Sequence, residues 1–279
     1  MRRVSALILL VMWLALTAGA TEPGPALRPD HVVVAVRDLA SARQTYQRLG
    51  FSVRPGRRHP NSVSNAFVKL MDGTELELLT AEQPLDRQAA EYLAFVQQGE
   101  GGAYLALAAG PVAEVARIAF RYGLRSKVQL GHAFDILTFP DEPDLQHVFF
   151  IQYHDRASGP PAHRVHRNGA AALAEVWLDG GQTLARLLLA LGGRSVDPPA
   201  GPDGLTGPAI RVGEATLVLV PPAGHPVRPR IRGVTLRTRP RVEAGGLIPS
   251  EEAHGVWIRF ATATAPSPAD GLPDRPAGD

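Results

Sequence analysis

Short apolar runs alternate with polar, glycine-marked breaks along the chain, and the runs recur in a fixed order. A continuous apolar stretch over residues 32–36 reads as a buried strand. In the ASARQTYQRLGF that follows, Leu39, Ala42, Tyr46 and Leu49 fall at helical spacing, and Gly50 ends the helix. Residues 51–53 predict a second strand, 55–64 a loop, 65–71 a third strand and 74–80 a fourth. Asp72-Gly73, between the last two, is the clearest hairpin signal in the chain.

The order then returns. Residues 103–109 predict a strand, 112–122 a helix stopped by Gly123, and 134–139 and 147–153 further strands. A third copy opens at Ala171, with a helix in GQTLARLLLALGG and strands over 209–212 and 215–220. The stopping glycines Gly50, Gly123 and Gly192 give offsets of 73 and 142 residues from the first copy. A partial fourth copy has strands over 231–238 and 256–260 with no convincing helix between them. Units of about 50 residues cannot each bury both faces of a sheet, so two must join around a common core. The expected fold is α+β: repeated βαβββ units paired into curved mixed sheets that enclose a cavity. The first pair spans residues 28–155 and a second, degenerate pair 166–262, with the boundary over 157–165. Residues 263–279 are too poor in apolar side chains to pack and read as a disordered tail.

Composition narrows the classes. Of 279 residues, 45% are hydrophobic and 20% charged, which fits an ordered globular protein. Aromatics make up only 6%, so the core is built mainly from Val, Leu, Ile and Ala, and extended stacking on nucleic acid is disfavoured. Cysteine is absent, which removes disulfides, thiolate metal sites and cysteine nucleophiles together. Residues 1–20 carry Arg2 and Arg3, an apolar core of about 11 residues and Ala18-Gly19-Ala20, the pattern of a cleaved secretory signal. The apolar core falls short of the roughly 20 residues a spanning helix needs. The expected product is secreted or periplasmic, with no stable membrane anchor after cleavage. Losing Arg2 and Arg3 brings the 29 basic residues level with the 27 acids, so nucleic acid is not an expected partner.

Four stretches carry a resemblance: DHVVVAVRDLASARQTYQRLGFSVRPGRRHP, NAFVKLMDGTELELLT, HVFFIQYHD and HRNGAAALAEVWL. They resemble the glyoxalase-like domain family of the vicinal-oxygen-chelate superfamily, which includes glyoxalases, bleomycin-resistance proteins and extradiol dioxygenases. The resemblance covers about residues 28–222. It implies paired βαβββ units around a cavity and, in metal-dependent members, ligands on the first and last strands of the units. A substrate there chelates through adjacent oxygens.

His31 opens an apolar strand and Glu77 interrupts Leu76, Leu78 and Leu79 on another. A carboxylate in such a strand is costly unless it is paired or binds a cation. A buried His–Glu hydrogen-bonded pair and a Glu at a sheet edge are the alternatives to a metal site. Both residues match the family's ligand positions, and a His–carboxylate pair suits Zn, Mn, Fe, Ni or Co. The repeat offsets carry His31 onto Tyr104 and Leu173, and Glu77 onto Phe150 and Leu219, within a residue or two. The third copy has therefore lost both ligands, and the nearest candidate in the second is Gln152. The expected metal set is His31, Glu77 and Gln152, completed by water. Glu77 and His59, the latter in the RRHPNSVSN loop, are the candidate catalytic acid–base groups. Asn65 and His154 are the candidate substrate contacts. An exposed loop role is the alternative for His59.

The remaining signals are negative or bland. Six arginines between Arg228 and Arg241 alternate around Ile231, Val234 and Leu236, the pattern of a solvated edge strand. No G-x-S-x-G elbow or phosphate-binding loop occurs, and G-E-G-G-A at Gly99 to Ala103 fails the dinucleotide fingerprint. Two functions follow from the resemblance: a metal-dependent lyase, isomerase or dioxygenase, or a metal-free protein that binds or sequesters a small molecule. The expected partners are that small molecule and, through the second pair of units, a second copy of the chain in a homodimer.

Overall fold

The computed structural model describes residues 27–155, 161–221, 230–240 and 246–262. The expected signal segment and disordered tail, and part of the arginine-rich stretch, lie outside the described residues. The first unit comprises β1 (Arg28–Ala35), α1 (Leu39–Arg48), β2 (Arg54–Arg58), β3 (Val63–Lys69) and β4 (Glu75–Ala81). Helix α2 (Arg87–Gln98) leads to the second unit: β5 (Gly101–Ala108), α3 (Val112–Arg121), β6 (Lys127–Gln129), β7 (Phe134–Thr138) and β8 (Val148–Tyr153). The third holds β9 (Ala170–Asp179), α4 (Gln182–Ala190), β10 (Arg194–Val196), β11 (Ala209–Val212) and β12 (Ala215–Val220). Strands β13 (Ile231–Thr238), β14 (Leu247–Ile248) and β15 (Trp257–Ala261) follow.

In every unit the first strand pairs parallel with the last: β1 with β4, β5 with β8, β9 with β12 and β13 with β15. Units then join through antiparallel first strands, β1 to β5 and β9 to β13. The result is the expected mixed α+β sheet. The pairing Ile231↔Gly102 continues it from β5 to β13, and a Cβ on Gly102 would come within 2.5 Å of the Ile231 carbonyl oxygen. Only glycine allows that approach.

Strand alternation sorts the side chains of β1 between two cores. Val32, Val34 and Val36 join the cluster that also takes Ala42 and Tyr46 of α1 and Val115 and Ile118 of α3. Val33 and Ala35 face the other way, against Ala89, Tyr92 and Val96 of α2. Asp38 caps α1 by accepting from the Ala40 and Ser41 amides, and Gly50 turns the chain out of the helix at φ 90°. The β3–β4 hairpin forms as expected, with Asn65 opposite Leu79 and Phe67 opposite Glu77.

Several elements depart from expectation. Residues 51–53 are not a strand; β2 lies inside the stretch expected as a loop. Pro55 and Gly56 read as loop punctuation, but β2 pairs only with β3 and shifts register between Pro55 and Arg58, where both are tolerated. The short strands β6, β10 and β14 had no apolar period to announce them. Helix α2 stands outside the repeat and was not expected, although Ala89, Tyr92 and Val96 have helical spacing.

Candidate functional site

The concave side of the first two units encloses a cavity of about 1240 Å³. Its walls are set by strand alternation: His31 and Val33 from β1, Asn65 and Phe67 from β3, Glu75 and Glu77 from β4, Tyr104 from β5, and Phe149, Ile151 and Tyr153 from β8. Tyr92 of α2 and His59 border it.

His31 and Glu77 meet inside this space. The parallel register sets His31 beside Glu75 and Val33 beside Glu77, so both side chains project to the concave face. Nε2 of His31 lies 3.4 Å from Oε2 of Glu77, with each side chain about one-tenth exposed. Nδ1 of His31 lies 2.8 Å from Oδ1 of the fully buried Asp30, which also accepts a hydrogen bond from the Tyr153 hydroxyl at 3.0 Å. Asp30 thereby assigns the proton to Nδ1 and aims Nε2 at Glu77. Burial pulls the His31 pKa down, but the Asp30 hydrogen bond and the charges of Glu77, Asp30 and Glu75 outweigh it, and the net direction is up.

Asn65 orients the other side of Glu77. Its Nδ2 donates to Glu77 Oε1 at 2.8 Å, while its Oδ1 accepts from the Arg57 amide at 3.0 Å. Gly56 makes room, since a Cβ there would sit 2.0 Å from Asn65 Oδ1. Asn65 is thus a partner of Glu77 as well as a cavity residue. His59 is half-buried at the cavity edge; desolvation, then Arg57, lower its pKa, and Glu77 opposes them. Burial raises the phenol pKa values of Tyr92 and Tyr104, leaving both hydroxyls protonated near neutral pH.

Two expected site residues are elsewhere, for one reason. Strand β8 sends Phe149, Ile151 and Tyr153 inward, so Gln152 and His154 point away from the cavity. Gln152 accepts from the Val112 amide at 2.9 Å and completes the first turn of α3. His154 is paired with Asp135 at 3.0 Å and is substantially exposed. Strands β1 and β5 have the same length, and their bounds carry His31 onto Tyr104, as the offset of 73 predicts; Tyr104 lines the cavity but brings a phenol where the first unit has an imidazole.

That correction bears on metal binding. Catalytic zinc sites use three protein ligands. Here the donors facing one another stop at His31 and Glu77, and Phe149 packs 5.6 Å from the imidazole, ring centroid to centroid. Among the described residues no group of three or more His, Asp or Glu side chains is arranged to hold a metal ion. The residues present do not fit a metal held tightly by protein ligands alone.

In the third and fourth units a cluster of side chains joins the strands β9, β13 and β15. Glu175 accepts from Trp177 Nε1, Thr235 Oγ1 and Arg259 Nη2 at 3.0, 2.5 and 2.6 Å. The Trp177 and Trp257 rings lie 5.8 Å apart beside this cluster.

Sequence reasoning missed Asp30, Tyr153, Phe149 and Tyr92. The Asp-His dipeptide at the strand entry was a legible signal for Asp30; the others needed the strand register or the unforeseen helix.

Comparison with known proteins agrees with this geometry. A hypothetical protein from Staphylococcus aureus superposes with a TM-score of 0.60 at 14% identity, over 85% of this chain and 99% of that one. The 2,3-dioxygenase LapB from Pseudomonas sp. KL28 gives 0.55 at 13% identity, over 89% and 96%. Homoprotocatechuate 2,3-dioxygenase from Arthrobacter globiformis gives 0.56 at 15%, over 86% and 82%. At these identities the likeness is one of fold. No protein of curated function matches the sequence. The model of the glyoxalase-like domain matches residues 30–186, more than half of the chain, and by that match the chain belongs to the glyoxalase-like domain family.

Proposed function

We propose that the cavity binds a small molecule bearing adjacent oxygens and that the His31–Glu77 pair moves a proton on it, as in an isomerase or lyase of the vicinal-oxygen-chelate type. The observation that carries this is the 3.4 Å approach of His31 Nε2 to Glu77 Oε2 inside a hollow large enough for a ligand. The imidazolium would donate to a substrate oxygen, Glu77 would accept a proton from the adjoining carbon, and His59 would exchange protons at the rim. Asn65 holds the Glu77 carboxylate in place for this.

The test is deuterium uptake. A panel of α-hydroxycarbonyl compounds is incubated with the protein in D2O and followed by proton NMR. Exchange next to the carbonyl that falls at least about a hundredfold in Glu77→Gln supports the reading; a panel that neither binds nor exchanges overturns it. Binding without exchange would favour the sequestering alternative. Exchange abolished by a chelator would favour the metal-dependent one, for which the His31–Glu77 separation is short enough to be spanned by one cation.

We propose also that residues 28–155 carry the site while 166–262 serve as a packing module. Export as a secreted or periplasmic protein rests on residues 1–20; amino-terminal sequencing of the periplasmic fraction tests it.

A further inference from the structure

Helix α2 is inserted between the last strand of the first unit and the first strand of the second, and it packs on the concave face of the sheet. Tyr92, on its buried side, is also part of the cavity wall. From it a row of rings runs edge to face toward the reactive pair. Tyr92 and Tyr104 have centroids 5.6 Å apart at 79°, Tyr104 and Phe149 6.4 Å at 63°, and Phe149 and His31 5.6 Å at 65°. The helix is tied to the loop that carries His59. Asn61 Nδ2 donates to Asp86 Oδ2 at 3.0 Å, and the Ser62 hydroxyl donates to the Gln83 carbonyl at 2.6 Å. Asp86 in turn caps the helix through the Ala89 amide. Helix and loop therefore form one wall, braced at its first turn.

We propose that α2 is the selectivity wall of the cavity and that Tyr92 is a specificity-determining residue, setting how far a flat ligand can extend beyond the His31–Glu77 pair. This rests on the small-molecule reading above and adds a ligand shape to it. The row presents aromatic rings side by side along the cavity wall with the Tyr92 phenol at its far end, a surface that suits a planar, oxygen-bearing ligand. With its oxygens at His31 and Glu77, such a ligand lies along Phe149 and Tyr104 and points its far end at Tyr92. Tyr92 is 7% exposed and held from behind by Val33 and Leu79, so it yields little to a longer molecule.

The probes are salicylate and 4-phenylsalicylate, which present the same pair of oxygens and differ in length. Binding to the full chain is measured by calorimetry for wild type, Tyr92→Ala and Tyr92→Leu, the second variant keeping an apolar side chain that guards the fold. The wild type should prefer salicylate. Both variants should improve the affinity for 4-phenylsalicylate relative to salicylate, by about tenfold in Tyr92→Ala. A wild type that takes both probes equally, or a ratio unmoved in a folded Tyr92 variant, overturns the wall and leaves the small-molecule reading standing. Failure of the wild type to bind either probe overturns the inference, while the exchange of α-hydroxycarbonyl compounds decides the small-molecule reading separately.

Discussion

The imidazole of His31 is held between two carboxylates, Asp30 at 2.8 Å from Nδ1 and Glu77 at 3.4 Å from Nε2. Asp30 is the inner partner: it does not line the cavity itself but holds His31 and Tyr153, which do. Replacing it by asparagine should leave Glu77 in place and keep an amide oxygen that accepts from Nδ1, but remove the charge that keeps the ring protonated. The imidazole resonance of His31 should then titrate at lower pH than in the wild type, read by nitrogen-15 NMR. Stability drawn from the charged ring is present below its unfolded value of 6.5 and is lost as pH rises through the raised folded value. The Asp30→Asn variant should lack that falling limb; an unchanged His31 titration would show that Asp30 does not govern the ring.

Gly56→Ala tests the support of Asn65. A methyl group at that position meets the Asn65 amide oxygen and the adjacent backbone. The expected cost is about 1–3 kcal/mol in urea unfolding, together with weaker ligand binding because Glu77 loses its oriented donor. Loss of stability with binding intact would separate the strand contact from the site.

A second titration belongs to a residue that does not line the cavity. His147 is buried, its Nε2 donates to the Asp179 carbonyl, and burial lowers its pKa from 6.5 to about 4. The unfolded chain binds this proton more readily, so the contribution is whole above pH 6.5 and drains away as pH falls toward about 4. The shift corresponds to about 3 kcal/mol across that window. His147→Gln retains a donor without the titration and should flatten the acid limb of the stability profile. A profile identical to wild type between those limits would rule His147 out as its source.

Arg259→Ala should unsettle the cluster around Glu175 alone. It strips Glu175 of its ionic partner in a cluster only partly open to solvent, at a cost of about 2 kcal/mol. Ligand affinity in the cavity of the first two units should stay within about twofold of wild type, the tolerance of sites without shared partners. A large loss of affinity would show that the two halves are energetically coupled.

Much of the architecture was legible because burial imposes a period. The runs that became β1, β5, β9 and β13, and the glycines that end α1, α3 and α4, are the places where one face must be apolar and one turn must reverse. His31 and Glu77 stood out because polar groups are costly in such runs. Gln152 and His154 were misread because a period-two strand needs its register fixed to the residue, and β8 sends Phe149, Ile151 and Tyr153 to the cavity instead. The edge strands β2 and β6, bonded along one side, carry little apolar signal. Helix α2 had an amphipathic pattern, but the repeated order left no place for it.

The strand that bears His31 is laddered to β4 on one edge and β5 on the other, and it is covered on both faces. Its amides should be among the slowest in the molecule to exchange with solvent. Whatever adjustment accompanies ligand entry must then come from the perimeter, so the reactive imidazole serves as the fixed datum against which an incoming molecule is positioned.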